Sequence, residues 1–541
     1  MLKRARALVL AGGLLAGGAA AAAAPAAAAL VIGRHVLRDL ALPPGVLVRS
    51  ATFTPSGLVL VSYAKAAGGD PRVVNLALVA DDGRGWRPFF SARLPERPGD
   101  NGIRYMVFPD DRRIFIGDFV IECRTRLAGC TDPALLPVAF PPEVATGSRI
   151  ARRWSEVIVA PDDRHVAWTT LLADHSAVVL TGDMRREGAG YVIADPRIIS
   201  AQAPFQPDPR HADGVLPQPP RGGEVKQFVH GGTAISLAGS VASELPNSTV
   251  QSLLTGATQA VTATPGYTET TIFSPDERLG LTMTTRFSPG TDLAVLGLLP
   301  RPYAASLNMG LSLLAYSYGV TGVREARPGN IGPALIDIER SEHEPGYKGI
   351  DLNSDPDWVF FSPMSWHPGG RKAMWIERQK GTGRTRIRLV ELPDYRPAAP
   401  VAPRPTPAAP ALSSGDLAQI AVPHARDIAV RVYGRAAGYL TFRRTGTMVE
   451  KTYAGFADDA ARRWSGSERF AFDPRGISTY QASLALSGAS PGAMDLTIAF
   501  GPLGGPLPAR ILFDPGPDGT PRSHGFVTFQ GQRLSVSQLQ P

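Results

Sequence analysis

Cysteine is almost absent: the 541 residues contain only Cys123 and Cys130, seven positions apart. That excludes a four-thiolate metal centre, and no histidine lies near enough in the sequence to complete a mixed one. In an exported chain the pair reads as one disulfide closing a small loop. Charge is also sparse, at 19% of residues, and no stretch is dense enough in Lys and Arg to track a phosphate backbone. Nucleic acid is therefore not an expected partner. After the first thirty residues no long apolar run is left. Pro302 to Val323 carries no charge, but Asn308, Gly310, Gly319 and Tyr303, Tyr316 and Tyr318 interrupt it, so a buried pair of strands is expected there and not a membrane span.

Glycine and proline are plentiful, 57 and 50 residues, a turn-rich composition that favours many short strands over long helices. The length exceeds what one ordinary core fills, so two folded units are expected. Residues 1–29 stand apart. Lys3, Arg4 and Arg6 precede an uncharged Ala/Gly/Leu run, and Ala22 to Ala29 offers A-x-A cleavage sites, as in a secretory signal. Its removal takes away three positive charges and no negative ones, lowering the net charge from +8 to +5. The mature chain is expected in the periplasm or the medium, with no membrane span.

A phrase then recurs: an aromatic or apolar residue, a spacer, proline, a turn pair, often arginine, and a hydrophobic strand. It appears as Phe53-Thr54-Pro55-Ser56-Gly57, as Phe108-Pro109-Asp110-Asp111-Arg112 and as Val159-Ala160-Pro161-Asp162-Asp163-Arg164. It returns as Phe273-Ser274-Pro275-Asp276-Glu277-Arg278 and Trp366-His367-Pro368-Gly369-Gly370-Arg371, with a degenerate copy at Phe228-Val229-His230-Gly231-Gly232. Proline presets φ at the first corner, Asp or Gly accepts the second, and β-formers follow, so each copy marks a strand-turn-strand. The copies lie 54, 52, 69, 45 and then 93 residues apart, the last spacing close to two units. About 45–55 residues is what one four-stranded propeller blade needs.

The phrases resemble the repeats of TolB-type, WD40-like propellers, whose typical form is F-S-P-D-G-x-x-I/L-A-F/Y. Phe273 to Leu281 and Val159 to Trp168 are the nearest copies. The resemblance covers about two thirds of the chain and implies a propeller and an exported location. TolB also carries an α/β domain before its propeller, and nothing between the signal and Phe53 is long enough for one.

The predicted architecture is all-β: a six- or seven-bladed β-propeller over residues 31–395, then an antiparallel β-sandwich or small barrel over 415–541. Between them, residues 396–414 are rich in proline and alanine and read as a semi-rigid linker, exposed to proteases. In the C-terminal unit, Tyr480, Ala482, Leu484 and Leu486 alternate with polar or small residues, as do Met494, Leu496, Ile498 and Phe500. Further strands are expected at 428–432, 439–443, 448–453, 511–513 and 526–529.

No nucleophile elbow of the α/β-hydrolase kind is present: Leu486-Ser487-Gly488-Ala489-Ser490 lacks the preceding glycine and a following helix. The doublets Asp110/Asp111 and Asp162/Asp163 fall at repeat turns and are read as turn residues. The densest group of functional residue types runs from Ser341 to His367. There His343, Glu344, Tyr347, Asp357, Trp358, Trp366 and His367 are the candidate ligand-binding residues, offering ring contact and orientation. Asp351, Asn353 and Asp355 keep the alternate spacing of a calcium loop, although Pro356 and Ser362 exclude an EF-hand. No cofactor is expected beyond a calcium ion in this loop. The expected function is an exported binding or scaffold propeller whose partner is an envelope protein or glycan. The alternative is a carbohydrate-active propeller enzyme, a lyase or hydrolase.

Overall fold

The computed structural model describes residues 32–95, 106–145, 148–155, 157–173, 176–201, 205–217, 222–239, 247–262, 267–287, 302, 331–344, 346–353, 355–408, 412–473, 476–502 and 508–540. The signal-like run lies outside them, as does the uncharged 302–323 segment apart from Pro302. Among the described residues six blades of antiparallel strands follow one another, each with a repeat phrase at the turn between its first two strands, and a parallel pairing of Tyr191 and Val192 with Val138 and Ala139 joins the second and third blades edge to edge. Blade 1 is Leu47–Phe53, Val59–Ala64, Val73–Val79 and Arg87–Arg93, and blade 2 is Met106–Val107, Arg113–Ile116, Phe119–Glu122 and Ala134–Ala139. In blade 3 the inner strand is split into Arg152–Arg153 and Ile158–Val159, before His165–Leu171, Ala177–Glu187 and Gly190–Ala201. Blade 4 is Gly223–Val229, Ala234–Gly239, Asn247–Ser252 and Thr258–Ala260. Blade 5 is Thr268–Phe273, Leu279–Thr284, Gly332–Asp337 and Ile350–Asp351. Blade 6 is Trp358–Trp366, Lys372–Gln379 and Thr385–Glu391, and its outer strand is Val36–Asp39 from the start of the chain, which closes the ring.

The middle strands pack between neighbouring blades and are covered on both faces: every residue of Val59–Ala64 is buried. Leu60, Leu76 and Leu78 of blade 1 meet Ile114, Ile116 and Ile121 of blade 2, while Val59 and Val61 meet Met374 and Ile376 of blade 6. Each such side chain contributes about 1.5–3 kcal/mol on burial. Six blades are present among the described residues, within the expected six or seven, and the wide last spacing is not two units. Blade 5 carries a long insertion between Thr284 and Gly332, which stretches a single blade.

The repeat turns form a ring of their own. At the fourth position Asp111, Asp163, Glu277, Gly57, Gly232 and Gly370 all have positive φ, between 55° and 103°. Two of the acids reach back to the preceding blade: Asp163 Oδ1 accepts from the Asp110 N–H at 2.8 Å and Glu277 Oε1 from the His230 N–H at 2.7 Å. Burial pushes the carboxyls of Asp111, Asp163 and Glu277 up. Where glycine stands instead, the neighbour fills the space: a Cβ on Gly57 would lie 2.7 Å from Nε2 of His367 in blade 6. The aspartate doublets are thus turn and junction residues.

The segment after blade 6 is extended, as its composition dictates, but it is not the free, protease-exposed linker expected. It lies along the repeat turns of blades 6, 5, 4 and 3, with backbone hydrogen bonds to Pro275 and Gly231, and ends with Leu412–Ser413 paired to Arg197 and Ile198 of blade 3. Cys123 and Cys130 form the expected disulfide, with Cα atoms 5.7 Å apart, in the connection before the outer strand of blade 2. Arg87 of blade 1 clasps that loop, donating to the carbonyls of Leu127, Ala128 and Cys130 at 2.7–2.9 Å.

After a short helix, Leu417–Ala425, the C-terminal unit is one antiparallel meander. Its strands are Ile428–Tyr433, Ala437–Thr445, Met448–Asp459, Arg462–Ala471, Ser478–Gly488, Gly492–Pro502, Pro508–Ile511, His524–Phe529 and Gln532–Ser535. The sheet curls into a barrel that is nearly closed. The two alternating runs are inward-facing as read, with Tyr480, Ala482, Leu484, Leu486, Met494, Leu496, Ile498 and Phe500 all buried. The core also holds charge. Lys451 Nζ lies 3.4 Å from Glu468 with both side chains fully buried, and the Tyr453 and Tyr480 hydroxyls donate to the same carboxylate at 2.6 and 2.7 Å. Beside the first strand sits the hairpin of Phe205–Pro207 and Val215–Pro217, which joins blades 3 and 4. There His211 stacks on Tyr433 with centroids 3.8 Å apart, and Arg431 and Tyr433 both donate to Asp213. Among the described residues no helix is long and apolar enough to cross a membrane.

Candidate functional site

The residues singled out between 341 and 367 do not come together. His343, Glu344 and Tyr347 follow the third strand of blade 5, on the face that carries the repeat turns. Asp351 to Asp357 connect blade 5 to blade 6 on the opposite face, and Trp358–Trp366 runs from one face to the other. Nine residues of strand separate its ends by roughly 25 Å at 3.2–3.4 Å per residue.

Most of these side chains are engaged locally. His343 is exposed and places Nδ1 2.9 Å from the Glu339 carbonyl. Glu344 takes two hydrogen bonds from Arg340, which hold its carboxyl below the usual range. The Tyr347 hydroxyl accepts from the Asp337 N–H at 3.0 Å, Arg340 covers its ring, and burial pushes its pKa up. Trp358 lies 4.0 Å from the Arg386 guanidinium. Trp366 is core: it is 7% exposed, and its indole N–H donates to the Ile272 carbonyl. His367 packs edge-on to Phe53, accepts from the Gly369 N–H, and is depressed in pKa by burial. It closes the turn ring between blades 6 and 1.

The proposed calcium ligands form Asx turns. Asp351 accepts from the Asn353 N–H at 2.9 Å and Asp355 from the Asp357 N–H at 3.1 Å, while the other Asp355 oxygen faces Arg386 at 3.5 Å. Burial pushes Asp351 up. Among the described residues no three His, Cys, Asp or Glu side chains are grouped to hold a metal ion.

A different surface offers an organised set of polar groups. On the outer face of the C-terminal sheet a cleft of about 440 Å³ is lined by Glu450, Thr452, Ser467, Arg469, Gln481, Ser483, Asp495 and Thr497 among others. The register explains the array. Residues directly opposite one another across strands share a face. One row is therefore Glu450, Arg469, Gln481 and Thr497, and the next is Thr452, Ser467, Ser483, Asp495 and Phe526. Their neighbours along each strand, Lys451, Glu468, Ala482 and Leu496, face the core. Arg469 is held 3.6 Å from Glu450 with its guanidinium against the Met448 sulfur, and Phe526 lies under Arg533 at 3.6 Å.

Hydroxyls, a carboxamide and a carboxylate thus stand side by side, with an aromatic ring at the end of the second row. Sequence reading missed this site because outward polar residues are ordinary on any half-buried strand. The available signal was glycine at inward positions, Gly466 and Gly525, with φ of 110° and 108°. Glycine inside a strand marks a bend or a close backbone approach.

No family model and no curated protein matches the chain. Solved structures with a similar fold include a protein described as a putative TolB from Agrobacterium tumefaciens, at 11% identity over 57% of this chain and 80% of that one, TM-score 0.32. TolB from Acinetobacter baumannii is 12% identical over 64% of each chain, TM-score 0.29. Prolyl oligopeptidase B from Galerina marginata is 8% identical over 76% of this chain and 48% of that one, TM-score 0.28. The chain thus spans about half the length of that enzyme.

Proposed function

We propose that this chain is an exported binding protein of the cell envelope, in which the propeller is the frame and the outer face of the C-terminal sheet contacts a glycan. The observation that carries the reading is the cleft. Its exposed Thr452, Ser467, Gln481, Ser483 and Asp495 offer donors and acceptors in a regular two-row array, matching the alternating hydroxyls of a sugar chain. Ligand sites commonly fall between about 300 and 1,000 Å³, which this volume satisfies. The Cys123–Cys130 disulfide and the signal-like N-terminus support export.

A shallow polar site binds weakly. About four net hydrogen bonds at roughly 1 kcal/mol each correspond to a Kd near 1 mM. Calorimetric titration with soluble peptidoglycan glycan strands and, in parallel, an unbranched β-glucan is expected to give such a Kd for one of them. The double variant Asp495→Ala/Gln481→Ala is expected to weaken it about tenfold, the loss of one to two net bonds, without moving the melting temperature. Binding unaffected by that variant, or no binding of either probe at 10 times that concentration, would refute the reading. Release of reducing ends during the titration would favour the carbohydrate-active enzyme instead.

A further inference from the structure

We infer that the repeat-turn face of the propeller is a recognition surface for proline-rich segments in the polyproline II form, occupied here by the chain's own residues 396–407. The argument starts from spacing. Pro397, Pro400 and Pro403 recur every third residue, and polyproline II has three residues per turn with no internal hydrogen bonds. Prolines have no N–H to give, so only the residues between them can donate. The donors found are one per turn of that helix. The Ala398 N–H donates to Asp276 Oδ2 at 3.0 Å, that of Val401 to the Pro275 carbonyl at 2.8 Å, and that of Arg404 to the Gly231 carbonyl at 2.8 Å. After the extra Pro405 the spacing shortens, and the Thr406 N–H donates to Asp162 Oδ2 at 3.0 Å.

The acceptors come from the equivalent turns of blades 5, 4 and 3, so the repeat supplies a repeated docking site. Room for the segment is built into the same turns. A Cβ on Gly231 would stand 2.4 Å from the Ala402 carbonyl, and one on Gly370 would stand 3.1 Å from Pro397. Tyr395 anchors the start, 1% exposed, with its hydroxyl donating to Asp276 Oδ2 at 2.7 Å. Ala399 and Ala402 complete each triplet, and their N–H groups take no part in this ladder.

The phase of this pattern is testable. In the full chain, Val401→Pro or Arg404→Pro keeps the extended form but removes one ladder donor, whereas Ala399→Pro removes none. The first two are expected to make the segment at least tenfold more sensitive to elastase and to let the protein take up a labelled peptide spanning 394–408. Ala399→Pro and the wild type should do neither, because the tethered segment holds the site. A measurement on the wild type alone covers the case in which a variant does not fold. Amides 398, 401, 404 and 406 should exchange at least tenfold more slowly than 399 and 402. Equal exchange at all six positions, equal sensitivity of the three variants, or no peptide uptake by a folded donor-less variant would overturn the inference.

Discussion

Glu468→Ala is expected to cost the C-terminal sheet about 3–5 kcal/mol, the range for removing one partner of a buried ion pair. The carboxylate is the point on which Lys451, Tyr453 and Tyr480 converge, and both charged side chains are fully buried. Taking it away leaves the ammonium in the core without that counter-charge and two hydroxyls without that acceptor. Each hydroxyl adds a desolvation penalty of roughly 1–3 kcal/mol. Removing the charges together is milder: Lys451→Met/Glu468→Leu, with both tyrosines replaced by Phe, should cost less than Glu468→Ala alone. Urea unfolding of the two proteins compares them directly. A loss below about 1 kcal/mol for Glu468→Ala would mean that the cluster is hydrated and not a core element.

Gly466→Val is the second large effect, and it links the bend of the sheet to the cleft. The residue has φ of +110°, and a Cβ there would lie 2.1 Å from the Ser483 carbonyl oxygen, a backbone atom of the next strand. Side chains rarely adopt that conformation, and the neighbouring strand must move to admit one. Strain and strand displacement together are expected to cost about 3 kcal/mol or more. Because Ser467 and Ser483 flank the point of contact, glycan binding should be lost even at temperatures where the protein stays folded. The comparison is Gly446→Ala, with φ of +55° and open space around the added carbon, expected to cost only about 1 kcal/mol. Equal midpoints for the two variants in urea would show that the bend does not depend on Gly466.

Much of this fold was legible because its signals are local. Proline at the first corner marks five of the six blade turns, Asp, Glu or Gly stands at the left-handed position of all six, and the two alternating C-terminal runs face the core as their period requires. What failed depended on distant partners. The insertion in blade 5 imitated an extra blade, since spacing alone does not distinguish an insertion within one blade from a further repeat. The Pro/Ala segment showed its conformation but not the surface it lies on, which is assembled from four blades. Arg462–Ala471 escaped notice as a strand because two of its inward positions are Gly466 and Glu468, which break the apolar alternation. The polar group at 341–367 was misleading in a different way. Residues close in sequence were divided between opposite faces by a strand that crosses the blade.

The central claim is that contact with the outside is made by the C-terminal sheet and not by the propeller's own loops. Hydrogen exchange of the full chain, with and without soluble glycan strands at ten times their Kd, tests it most directly. The account predicts about tenfold slowing confined to Met448–Asp459, Arg462–Ala471, Ser478–Gly488 and Gly492–Pro502, with the six blades unchanged. Slowing at residues 341–367, with none in those four strands, would contradict it.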